Sequence, residues 1–118
     1  MTARAVILFG HGSRDPLWRA PMDAVAERVA AKGITVRCAF LELTTPDLRT
    51  SVEELVALGV RHIAVVPMFL GAGRHARDDL PRLVDELKRG HPDLQLDLRM
   101  PVGEDPRVLD LLASIASE

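Results

Sequence analysis

The sequence predicts an α/β fold in which a four-stranded parallel sheet lies between helices, a three-layer sandwich. Three observations predict it. Strand-like and helix-like stretches alternate four times along the 118 residues, as repeated βα units demand of parallel strands with helices on both faces. The first and third strand-like stretches are apolar nearly throughout, the mark of strands buried on both faces. The second and fourth mix in polar residues, as edge strands do.

The first strand is expected over Ala3 to Phe9, where Ala5-Val6-Ile7-Leu8-Phe9 is unbroken by a polar residue. A first helix follows, because Met22, Val25, Ala26, Val29 and Ala30 recur at i, i+3, i+4, i+7 and i+8. The second strand spans Ile34 to Leu41 and carries Thr35 and Arg37. Thr45-Pro46 then reads as an N-cap with proline at the first helical position, opening a helix through Leu55 and Val56 that Gly59 closes. The third strand covers His62 to Phe69, "HIAVVPMF". Pro67 lacks a ladder donor and marks where pairing ends. Leu80, Leu83, Val84 and Leu87 form the stripe of a third helix ending near Gly90. The fourth strand, Leu94 to Met100, alternates Leu94, Leu96 and Leu98 with Gln95, Asp97 and Arg99. Asp105-Pro106 opens a last helix carrying Val108, Leu111, Leu112 and Ile115. With strands two and four at the edges the order is 2-1-3-4. This is the flavodoxin-like arrangement, with its switch point between strands one and three.

Length and composition bound the function. Residues 1–118 read as a single domain with one core. No apolar run approaches the roughly 20 residues of a membrane span, and the short apolar run in "MTARAVILFG" has no cleavage pattern behind it. A net charge of -2 argues against nucleic acid as a partner. Thirteen of the fifteen basic residues are arginine, so one arginine alone says little about an anion site. The single cysteine, Cys38, allows neither an intrachain disulfide nor a cysteine cluster for metal, and a reducing cytoplasmic setting is expected.

Ligands of such sheets bind outside the carboxyl ends of the strands. His11 follows strand one, between Gly10 and Gly12. Glu42 ends strand two, in "FLELTTP"; His75 follows strand three, in "FLGAGRHARDD"; Glu104 and Asp105 follow strand four. Taken singly, each has an ordinary reading: a loop histidine, an exposed strand-end carboxylate, a helix-entry residue. Together on one rim, His11, Glu42 and His75 are a familiar ligand set for a divalent metal, with positions left open for water or substrate. The glycines beside His11 suggest close backbone approach. His62 and His91 belong to the opposite rim and are read as structural, and Cys38 as core. Trp18, Met68 and Met100 are read as packing residues, with Trp18 near enough to the first loop to touch a ligand.

"GHGSRDP", "FLELTTP", "VPMFLGAGRHARDDLP" and "PVGEDP", in that order and nearly end to end, resemble the CbiX/SirB family of small type II chelatases. The resemblance implies half of a class II chelatase fold and insertion of Co²⁺ or Fe²⁺ into sirohydrochlorin, on the cobalamin or siroheme route. It places the two metal-handling histidines on His11 and His75 and an associated acidic residue on Glu42. The length matches the short form, which pairs as a homodimer. The histidine-rich segment of some short members is missing.

Chelation exchanges two pyrrole protons for one metal ion, so the site must hold metal loosely, accept protons and seat a flat polyanionic ring. Neutral imidazoles suit the first two tasks. Arg14, Arg74 and Arg77 flank the histidines and are candidates to pair with the eight carboxylates of sirohydrochlorin or a related tetrapyrrole. The alternative for each is a solvated loop charge. Ser13 either bonds a carboxylate or caps the following turn. Leu17, Trp18, Met68, Phe69 and Leu70 are candidates to line the pocket or a subunit contact. No nucleotide motif is present, so no ATP is expected, and no cofactor beyond the substrate metal, Co²⁺, Fe²⁺ or Ni²⁺. A histidine phosphatase normally shows Arg-His-Gly, whereas Gly10 precedes His11 here. A serine hydrolase would need a Gly-x-Ser-x-Gly elbow around Ser13. The remaining alternative is a non-catalytic tetrapyrrole- or metal-binding carrier or sensor.

Overall fold

The structure, a computed structural model, describes residues 3–118; the first two residues of the expected domain lie outside them. The chain runs β1 (Ala3–Gly10), α1 (Ala20–Ala30), β2 (Thr35–Phe40), α2 (Leu48–Ala57), β3 (Val60–Pro67), α3 (Arg74–Gly90), β4 (Gln95–Leu98), a 3₁₀ turn (Val102–Glu104) and α4 (Pro106–Ala116). The strands are all parallel in the order β2-β1-β3-β4. Central β1 pairs Phe9 with Ala39 on one side and Pro67 on the other.

Burial follows the two-residue strand period. Ala5, Ile7 and Phe9 of β1, with Ile63, Val65 and Leu96, face α2 and α3 and join Val52, Leu55, Leu80, Val84 and Leu87 in the main core. The opposite residues, Leu8 with Val6, Val36 and Val66, pack with Met22 and Phe40 beneath α1. Right-handed crossovers account for this division, since β1 steps left to β2 while β2 and β3 step right. Pro67 is the last residue of β3, and β4 pairs only as far as Val65 with Leu98. The missing donor thus falls where pairing ends, as the sequence suggests.

Several boundaries differ from expectation: β3 is Val60–Pro67 rather than His62 to Phe69, β4 is Gln95–Leu98 rather than Leu94 to Met100, and two helices start elsewhere. The N-cap of α2 is Asp47, not Thr45; its carboxylate accepts the Thr50 N–H at 2.8 Å, and the Thr45-Pro46 peptide is cis. The third helix begins at Arg74, well before the apolar stripe, and contains Pro81. Its first turn carries arginine, histidine and aspartate, so only Ala76 there joins the buried face. The fourth helix opens as expected, with Asp105 accepting the Arg107 N–H and Pro106 at its start. None of its residues is buried.

Candidate functional site

The β1–β2 ladder continues past both strands into the loops that hold the candidate site. Leu41 N–H donates to Gly10 O at 3.0 Å and Glu42 N–H to His11 O at 3.1 Å. This continuation sets the two side chains together: His11 Nε2 lies 3.4 Å from Glu42 Oε1. Both are open to solvent, 54% and 57% exposed. The Phe69 ring makes edge-to-face contacts with the His11 imidazole, centroids 6.4 Å apart, and with Phe9 at 6.2 Å. The imidazole therefore rests on an aromatic floor anchored in the core while its edge faces Glu42.

The close approach suggested by the flanking glycines is present at both. Gly12 has φ +106°, and a Cβ there would fall 1.6 Å from the Glu42 carbonyl oxygen. No side chain fits without moving the Glu42 backbone. A Cβ on Gly10 would meet Met22 Sδ at 2.6 Å and crowd Trp18. Ser13 and Thr44 fasten the two loops: the Ser13 N–H donates to Thr44 Oγ1 at 3.0 Å, and that hydroxyl donates to Ser13 O at 2.8 Å. The Ser13 hydroxyl accepts the Asp15 N–H at 3.0 Å, the turn-capping arrangement. Leu43, between Glu42 and Thr44, is held at φ +64° with its side chain exposed. A β-branched-free but bulky residue in the left-handed region costs about 1 kcal/mol, and such strain gathers at functional sites.

His75 is the second residue of α3, exposed, and reached through a loop whose Gly71 and Gly73 have open space where a Cβ would be. Among the described residues no three His, Cys, Asp or Glu side chains are grouped to hold one ion. The structure brings His11 and Glu42 together, then, and leaves His75 outside that pair. Arg14 is exposed; Arg74 lies 3.9 Å from Asp78, an exposed pair one helical turn apart. Arg77 borders a cavity of about 150 Å³ between α3 and the ends of β3 and β4, walled by Phe69, Ala76, Leu80 and Leu98 and carrying Arg99 and Glu104. This cavity shares Phe69 with the His11 floor. Leu17, Trp18, Leu43, Leu70 and Met100 leave large apolar surfaces open. Trp18 packs on Phe40, rings 5.9 Å apart, and Met68 supports the α1-side core, whereas Met100 is exposed and does not pack.

Sequence reasoning missed Thr44, Leu43 and Arg99. Thr44 was legible only as part of "ELTTP", and nothing in its type foretells a bond to a residue 31 positions away. Away from the rim, His62 Nε2 meets Asp97 Oδ2 at 2.7 Å across β3 and β4, and His91 caps the end of α3, both in structural roles.

The family model described as CbiX matches residues 5–118. The sirohydrochlorin cobaltochelatase of Methanopyrus kandleri is 32% identical, the alignment covering 92% of this chain and 91% of that protein. The sirohydrochlorin ferrochelatase of Bacillus subtilis is 34% identical over 90% of this chain but only 41% of its own length. The solved structure of the sirohydrochlorin chelatase SirB from Bacillus subtilis subspecies spizizenii, in complex with cobalt, superposes with a TM-score of 0.82 at 29% identity. It covers 98% of this chain and 50% of that one.

Proposed function

The chain belongs to the CbiX family, and from that premise we propose that it inserts a divalent metal, Co²⁺ or Fe²⁺, into sirohydrochlorin. The observation that carries the reading is the His11–Glu42 pair at the ends of adjacent strands, in a chain that spans nine-tenths of a cobaltochelatase. The metal is substrate here. It arrives hydrated, exchanges water for His11 Nε2 and a Glu42 oxygen, and passes to the four ring nitrogens as two pyrrole protons leave. No electron moves and no phosphoryl group is consumed. Imidazole and carboxylate bind such ions without closing the coordination sphere and accept Ni²⁺ as readily, so release to a macrocycle remains open. Once metal has left, the same two groups are free to take protons.

His75 is the proposed third ligand. The open space at Gly71 and Gly73 gives its loop room to bring α3's first turn toward the pair. The exposed apolar rim of Leu17, Trp18, Leu43 and Leu70 suits one face of a flat ring. Arg14, Arg74 and Arg77, and Ser13 through its free hydroxyl proton, suit the carboxylates around it. One rim covers one face of the ring, so the working unit is a homodimer whose second copy covers the other. No described helix is long and apolar enough to cross a membrane. The lone thiol, Cys38, is unpaired and fits a cytoplasmic enzyme of the metal-inserting lyase type.

Anaerobic absorbance of sirohydrochlorin with Co²⁺, Fe²⁺ or Ni²⁺, with and without catalytic protein, tests the reading. Insertion should accelerate at least tenfold over the uncatalysed rate for one metal, with many turnovers. Stoichiometric binding without turnover would instead identify a carrier or sensor.

A further inference from the structure

Among the described residues, every position with positive φ but one is filled by glycine. Gly12, Gly33 and Gly59 take φ of +106°, +79° and +90°; the exception is Leu43, at +64°. The Thr44 N–H donates to Glu42 O at 2.7 Å across it. Residues 42 to 44 therefore close a γ-turn of the positive-φ kind, the rarer and more strained of the two. Glycine makes such a turn without penalty, whereas a Cβ crowds the neighbouring carbonyl oxygen. The turn itself thus does not call for leucine.

Nor does the core. Leu43 is 55% exposed and packs in neither core cluster, while its neighbour Leu41 packs against the main one. The conformation cannot relax, because both flanks are pinned. The Glu42 N–H is bonded to His11 O, the Glu42 carbonyl lies against Gly12 with no room for a Cβ, and the Thr44 hydroxyl bonds Ser13 in both directions. The fold carries the strain and gains no buried surface from it, the arrangement expected where a side chain is held out for a ligand. That side chain stands one residue from Glu42, whose carboxylate meets His11. An ion held by this pair enters a macrocycle only if the four ring nitrogens come to it. The pyrroles around them then lie over the residues beside the pair. A stiff aliphatic surface suits a pyrrole face and loses little freedom on contact.

We propose that Leu43 is a macrocycle-contacting residue, a preformed apolar rest for one pyrrole of the ring beside the His11–Glu42 pair. This rests on the chelatase reading above and separates the side chain that receives the ring from those that receive the metal. The strained turn fixes the leucine before the ring arrives, so little ordering is left to be done on binding. Affinity for the ring and affinity for the metal then depend on different side chains of one loop.

Two variants of the full chain test it. Leu43→Asn tolerates a positive φ and removes the aliphatic surface; Leu43→Met keeps an apolar surface on the same backbone. The control, Leu58→Ala, removes a leucine side chain that is 66% exposed at the end of α2. Binding of metal-free sirohydrochlorin is followed by quenching of the single tryptophan, Trp18. It should be about tenfold weaker in Leu43→Asn, as loss of one leucine contact predicts, and close to wild type in the other two. The KM for sirohydrochlorin should rise in step while kcat holds. Co²⁺ affinity, measured by equilibrium dialysis without the ring, should be the same in all the proteins, and the urea midpoint of Leu43→Asn no lower than wild type. Undiminished ring affinity in Leu43→Asn would overturn the proposal. A fall in its Co²⁺ affinity would overturn it too, making Leu43 a positioning residue for Glu42. A lower urea midpoint would do the same, by showing that the side chain serves the fold. A wild type that neither binds nor metallates sirohydrochlorin would overturn the chelatase reading and this contact with it; ring binding by the wild type separates the two failures.

Discussion

His11 and Glu42 are joined twice: the Glu42 N–H donates to the His11 carbonyl at 3.1 Å, and His11 Nε2 stands 3.4 Å from Glu42 Oε1. The backbone bond extends the parallel ladder one step beyond the sheet. The side-chain pair is thus positioned by strand register, the most rigid feature of the fold, although it is exposed to solvent. Such placement lets a loop site hold geometry without burial.

Removing either group should therefore cost function and spare the fold. For His11→Ala and His75→Ala we predict at least a hundredfold loss of metal insertion with stability changed by no more than about 0.5 kcal/mol, the usual range for exposed positions. Insertion kinetics and thermal unfolding together check this. Glu42→Gln keeps the shape and the backbone bond and loses the charge. It should weaken metal affinity and slow insertion about tenfold. Unchanged affinity and rate would reduce Glu42 to a strand-end carboxylate.

Gly12→Ala should instead cost both the fold and the function. The new methyl would meet the Glu42 carbonyl at 1.6 Å in a backbone conformation, φ +106°, that alanine resists. The ladder step must open, which we expect to cost about 2 to 3 kcal/mol and to separate the His11–Glu42 pair. Equilibrium denaturation would reveal it, and a variant as stable and active as wild type would show that the loops yield easily.

Much of this was legible in advance, and the reasons differ by element. Continuous apolar runs in β1 and β3 against mixed β2 and β4 give the strand order directly, because burial on two faces leaves no polar positions. The candidate rim followed from topology alone. What escaped notice was local and three-dimensional. The first turn of α3 was hidden by its charges, and Asp47 took the cap expected of Thr45. The hydroxyl of Thr44 bonds across 31 residues, which no periodicity encodes. The sequence does display the stripe of α4, but a stripe only says that a helix will be covered. It does not say by which surface.

Thr44→Val tests the fastening of the loops. It removes the bonds to Ser13 N and Ser13 O while keeping the side chain's shape. Leaving the half-buried Ser13 groups short of a partner should cost about 1 to 2 kcal/mol. The His11 and Glu42 groups survive, so the predicted kinetic effect is a several-fold fall in insertion rate with the metal preference unchanged. A stability loss without any change in rate would place Thr44 in the scaffold alone.

Acid stability offers a last test, and its sign can be worked out. The Arg107 side chain and backbone N–H hold the Asp105 carboxyl at about 2, below the ordinary 3.8. The hydrogen bond from His62 lowers Asp97, and the backbone and side chain of Thr50 lower Asp47. In each case the folded carboxylate binds its proton later than the unfolded one. Between those two titrations the unfolded chain takes up more protons, so stability rises with pH there. The contribution is fully present above about pH 4 and drains away as pH falls, for Asp105 until about 2. Midpoints of urea unfolding measured from pH 5 down to pH 2 should fall accordingly. Asparagine is as good an N-cap as aspartate but does not titrate. Asp105→Asn should therefore keep α4 helical and flatten its share of the slope. A slope identical to wild type would mean that Asp105 and Arg107, both at the protein surface, are screened in solution and contribute nothing measurable.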